Sequence, residues 1–157
     1  MASGDAASAA AVLAAPLLAE RKLVPISRLG AEAIVARVVH RLKAEAGLGR
    51  YQPVGGTPGF ARAIAAVIAE LRLASLTSGA ISKVAPDLMR LMEAYEAGLA
   101  EADLTDWPGV LSLAAETASG RAGAHRPDEP AHAVIGCIYQ ERSRKAARFQ
   151  SFRNFVP

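Results

Sequence analysis

Apolar residues recur at spacings of three and four along most of the chain, the period of a helix with one buried face. The first such stretch runs from about Asp5 to Arg21; it is alanine-rich, and Pro16 is expected to kink or split it. A short extended connector, "LVPIS", follows. A second helix is expected from Ser27, a suitable N-cap, to about Ala46, with Ala31, Ile34, Val35, Val38 and Leu42 on its apolar face and Gly47 as its stop. "GLGRYQPVGG" reads as a loop. The third helix opens at Thr57-Pro58, with Thr57 as cap and Pro58 in the first turn. Its stripe is Phe60, Ile64, Val67, Ile68 and Leu71, with Arg62, Glu70 and Arg72 off it.

After the linker "SLTSGAIS", the fourth helix starts at Pro86-Asp87 and carries Leu88, Leu91, Met92, Tyr95 and Leu99 on one face. Asp106 then caps a fifth helix that opens at Trp107-Pro108 and continues to about Ala118. Beyond it the periodicity stops. "SGRAGAHRPDEPAH" is irregular, and "AVIGCIYQERSRKAARFQSFRNFVP" has the composition of one further helix, apolar first and basic last. No internal repeat and no convincing strand pair is legible. The expected fold is therefore all-α: an irregular bundle of five or six helices, with a helical domain over residues 1–118 and, over 119–157, an irregular linker and a less ordered basic C-terminal arm that could supply the sixth helix.

Composition agrees with that pattern. The 157 residues are 52% apolar but only 5% aromatic, so the core is built from Leu, Ile, Val and Ala. The single cysteine, Cys137, permits no internal disulfide and fits a reducing compartment. The absence of a long apolar run argues against a membrane span. The N-terminus has Asp5 and no Lys or Arg before its apolar stretch, the reverse of a secretory signal. A cytoplasmic location is expected. The net charge of +3 belongs to the end of the chain, where Arg142, Arg144, Lys145, Arg148 and Arg153 face Glu141 alone.

Several motifs invite chemistry and do not support it. Gly55-Gly56 stands before a helix, but Thr57-Pro58-Gly59-Phe60 follows without the lysine that a phosphate-cradling loop needs. Pro86-Asp87 and Glu20-Arg21-Lys22 occur in the wrong order for a PD…(D/E)xK nuclease, and Asp87 fits a helix N-terminus. His40, His125 and His132 are scattered. No catalytic residue, cofactor or metal is expected. Tyr95 and Trp107 are readable either as stacking platforms for single-stranded bases or as core packing with a polar tip.

Three segments come in a telling order: "LVPISRLGAEAIVARVVHRL", "LGRYQPVGGTPGFARAIAAVIAELRLASL" and "APDLMRLMEAYEAGLAEADLTDWPGVLSLAAE". They resemble a segment of the AddB-like helicase–nucleases of bacterial double-strand-break repair, relatives of the UvrD-like helicases. In that family a comparable "PGF…ELR" helix precedes an "L…L…YE..L…L.D" helix. The resemblance covers about Leu23 to Glu116 and rests mostly on helix-packing residues. It implies a helical, 1B-type insert beside the path of DNA, without the ATP-binding loop or the nuclease site of the whole enzyme, and hence a truncated copy. Arg37, Arg41, Arg62 and Arg72 would then meet phosphates, and Arg142, Arg144, Lys145 and Arg148 form a separate non-specific patch. The expected partners are DNA and the remainder of a helicase–nuclease complex. The alternative is a free-standing helical protein–protein interaction module.

Overall fold

The computed structural model describes residues 3–74 and 85–122. Among them are five α-helices and almost no strand, so the fold is all-α. The helices are α1 (Ser3–Glu20), α2 (Arg28–Ala44), α3 (Phe60–Leu73), α4 (Pro86–Glu101) and α5 (Trp107–Ala122). The linker expected after residue 74 and the segment from residue 123 onward, including Arg142, Arg144, Lys145 and Arg148, lie outside the described residues.

The apolar stripes of α2, α3 and α4 meet in the larger of two core clusters. Val35, Ile68, Leu71, Leu91 and Tyr95 are nearly fully buried there, as is Leu48 from the turn after α2. Alternating aliphatic shapes fill such a core at close packing with few aromatics. The stripe on α3 is narrower than its spacing suggests. Ile64, Ile68 and Leu71 are buried, whereas Val67 remains 40% exposed at the stripe's edge.

The second cluster is α1 against α5. Ala10 and Ala14 are completely buried on Val110, Leu113 and Ala114, with Leu73 from the end of α3 joining them. Alanine on both sides lets two helices approach closely. Pro16 does not split α1, which runs through it. A proline inside a helix costs about 3 kcal/mol. Here packing of Ala14 before it and Leu17 and Leu18 after it on the same cluster holds both halves in line.

Helix ends follow local chemistry, sometimes one to four residues away from the sequence expectation; α5 runs to Ala122, past the end expected at about Ala118 and into the expected linker. Ser27 caps α2, its Oγ accepting from the Gly30 N–H at 3.2 Å. α2 ends at Ala44 and its left-handed closing residue is Ala46 (φ 53°), not Gly47. Gly47 contributes its N–H, which donates to the Leu42 carbonyl at 2.7 Å. Thr57 and Pro58 form a turn before α3 instead of its first residues: the Thr57 hydroxyl donates to the Val54 carbonyl, and Gly59 occupies the N-cap. Gly55 is buried because Leu48 lies against it; a Cβ there would overlap Leu48 Cδ1. The glycine pair is thus a packing and turn feature.

One short strand pair escaped the sequence reading. β1 (Val24–Pro25) lies parallel to β2 (Leu104–Thr105), with Val24 opposite Leu104 and Pro25 opposite Thr105. Two residues are too few to show alternation. The Val24 N–H donates to the Asp103 carbonyl at 2.9 Å and the Ile26 N–H to the Thr105 carbonyl at 2.8 Å. This bridge sets the N-terminus of α2 beside the N-terminus of α5.

Candidate functional site: a groove above a buried ionic hub

The two helix starts joined by the bridge, together with α3, enclose an open groove of about 620 Å³. Its α3 wall is Ala65, Ala66 and Ala69, ending at Leu73; Ile26 and Ala31 line the α2 side. Small side chains on two consecutive turns of α3 leave the space that larger ones would fill. Trp107 and Pro108 close the α5 end, and Trp107 is 43% exposed. Arg28, Glu32 and Glu70 contribute charge to the lining.

Tyr95 and Asp106 lie at the groove, and both are almost completely buried. Asp106 is the N-cap that its sequence context predicted. Its Oδ1 accepts from the Gly109 N–H at 3.0 Å, and its carbonyl accepts from the Val110 N–H. The Tyr95 hydroxyl donates to Oδ2 at 3.1 Å. Arg72 completes the hub: Nη2 donates to Oδ1 at 3.2 Å, Nε lies 3.1 Å from Oδ2 without making a hydrogen bond, and Nη1 donates to Glu96. One carboxylate therefore holds α3, α4 and α5 together. Burial, then the charge of Asp106 and its hydrogen bond, push the Tyr95 phenol well above its ordinary value of 10.0. This is the behaviour of a packed tyrosine with a satisfied hydroxyl, and its ring is not open for base stacking.

Arg72 is a correction to the phosphate-binding expectation. Its side chain is 19% exposed and committed to Glu96 and Asp106. The other three guanidiniums do not share a face. Arg62 is exposed on α3, its Nε 3.8 Å from Glu32 Oε2, whereas Arg37 passes beside Gly98 of α4. Arg37 and Arg41 are exposed and make no ion pair among the described residues. Glu32 also accepts from Arg28 Nε at 3.0 Å, so the groove's charges are largely balanced from within the chain.

Asp87 lies in the first turn of α4, where an acid was expected, but its hydrogen bonds go to another element. Its carboxylate accepts from the Arg50 N–H at 3.1 Å and from Arg50 Nε at 3.3 Å, clamping the 3-10 turn Gly49–Tyr51 to α4. Gly49 has φ 56°, and a Cβ there would overlap that carboxylate. The Arg50 backbone hydrogen bond, with help from its guanidinium, holds the Asp87 carboxyl below its ordinary value of 3.8. Among the described residues no group of three or more His, Cys, Asp or Glu is placed to hold a metal ion, and no helix is long and apolar enough to cross a membrane.

Sequence reasoning located Asp106 and Tyr95 but missed the groove. Its alanines lie on three turns of two helices, and nothing in their spacing distinguishes a covered wall from an open one. No protein-family model, curated protein or solved structure matches the chain.

Proposed function

We propose that the chain is a helical scaffold module that seats an amphipathic helix of a partner protein in the groove beside Trp107. The make-up of the groove carries this reading. The alanine wall on α3 extends over two turns, the length of a short helical contact, and permits close backbone approach. Trp107 stands half-exposed at one end as an aromatic anchor. Glu32 and Asp106 are already paired, so the occupant needs an apolar face more than a counter-charge. The resemblance to AddB-like helicase–nucleases supplies a setting for this reading, in which the partner helix belongs to the remainder of such an assembly.

Trp107 is the only tryptophan in the chain and reports directly on the groove. The probe is a ~14-residue synthetic helix of Leu, Ala and Lys with one apolar face, about four turns long. Its control has the same composition in an order that breaks that face. The first peptide should shift Trp107 emission to the blue and saturate; the control should not. Ala66→Glu, at an exposed position, should abolish the shift without changing the circular dichroism. Equal responses to both peptides, or an unchanged response in the variant, would sink the reading. A blue shift that grows with protein concentration alone would make a second copy the occupant and also overturn it.

A second reading, a wall beside the path of DNA, is favoured by one observation: Arg37 and Arg41 project from α2 without an ion pair among the described residues. It requires binding that ignores sequence and falls steeply with salt.

A further inference from the structure

The core is divided along a seam. One cluster belongs to α2, α3 and α4 with the turn at Leu48; the other belongs to α1 and α5. Leu73, the last residue of α3, is the one buried side chain that the three-helix group contributes to the second cluster among the described residues. The groove opens along the same seam, with α2 and α3 on one side and Trp107 and Pro108 on the other. Close packing is therefore incomplete where the two bodies meet. Polar contacts do much of the joining, above all Arg72 to Asp106.

We propose that α1 and α5 form one arm that undocks as a unit from the α2–α3–α4 body, with the Arg72–Asp106 contact as its latch and the β1–β2 bridge as the tether that keeps it attached. The two connections of the arm to the body lie side by side. α1 leads into β1 through Lys22 and Leu23, β2 leads into α5 through Asp106, and the two strands are paired. Undocking from that tether bends only a few loop residues, and the freed pair, without the body's support, opens its own helical hydrogen bonds more readily than the docked one.

Mutual cover explains why the two helices move together. Ala10 and Ala14 of α1 shield Val110, Leu113 and Ala114 of α5. Arg21 adds an ion pair to Glu116 at 2.5 Å. Leaving as a pair keeps that surface dry, whereas leaving singly exposes it. The latch is also built to reopen. Arg72 keeps Glu96 when Asp106 departs, and Asp106 keeps the Gly109 N–H that caps its own helix. Neither charge is stranded, which is the condition that makes breaking a buried pair expensive.

Native-state hydrogen exchange on the full chain tests this, read helix by helix by mass spectrometry. The amides of α1 and α5 should exchange at one common rate, at least about tenfold faster than those of α2, α3 and α4. Arg72→Met should speed the arm by about another tenfold and the body by less than about threefold. Leu73→Ala, at the seam but outside the latch, should speed the arm in the same way while leaving the body within about threefold. A single rate for all five helices in the wild type overturns the arm. Uniform acceleration of all five helices in Arg72→Met, or its failure to fold, overturns the latch.

Discussion

Replacing Asp106 with alanine removes the α5 cap, the acceptor for Tyr95 and the partner of Arg72 together. The loss should be about 2–4 kcal/mol, because α5 loses its cap and the buried Tyr95 hydroxyl is left without an acceptor. Urea unfolding followed by circular dichroism measures it. Asp106→Asn keeps a capping oxygen and should lose clearly less. Tyr95 makes a pH-dependent prediction. Its phenol titrates higher in the folded chain than the ordinary value of 10.0, so its contribution is complete below pH 10 and is lost as pH rises past that point. Tyr95→Phe should be less stable near neutrality by about 1 kcal/mol, the worth of one hydrogen bond. It should also show a flatter decline above pH 10, so the gap to wild type narrows in alkali. Denaturant midpoints at pH 8 and pH 11 decide. Asp106 was readable from sequence because an acid before Trp-Pro is a local signal. Arg72 was not, since a charge off an apolar stripe reads as solvent-facing. Its burial is caused by Glu96 and Asp106, which reach it from other helices at separations no periodicity encodes.

At the scale of the element, helix identity was written in the chain and helix ends less so. The stripes of α2 and α4 point inward as their spacing requires: Ile34, Val35, Val38 and Leu42 are buried, as are Leu88, Leu91, Met92, Tyr95 and Leu99. The ends depend on single backbone conformations. Lys22, Ala46 and Asp103 all take the left-handed region just after a helix, at φ 55°, 53° and 52°. Each pays a steric cost that glycine avoids. Ala46 is exposed and contributes no side chain to the core, so Ala46→Gly isolates the backbone effect. It should stabilise the chain by about 1 kcal/mol, after the greater freedom glycine gives the unfolded state is counted. A higher thermal midpoint is the expected reading, and a lower one would remove the backbone account of this helix end.

For the whole molecule, the all-α class followed from composition and period, but the division of the core into two clusters did not. Periodicity finds the buried face of a helix without naming the helix that covers it. The phosphate-binding reading also belongs to this scale, because it needs several guanidiniums on one surface. If DNA follows α2, binding to a labelled oligonucleotide should weaken with salt, and Arg37→Glu with Arg41→Glu should reduce the logarithmic salt slope by about 1.8 on duplex DNA. An unchanged slope would take both residues off the DNA path. The pairing of α1 with α5 has a consequence for the order of events during synthesis. The partners lie at opposite ends of the described chain, and the three-helix body is made between them. At ribosomal speeds the Ala10–Ala14 face waits on the order of ten seconds for its cover. The α2–α3–α4 body has no such wait for α1. Nascent chains stalled just before α5 emerges should therefore carry a formed body and a bare α1, which makes that helix the part of the newborn chain most in need of a chaperone.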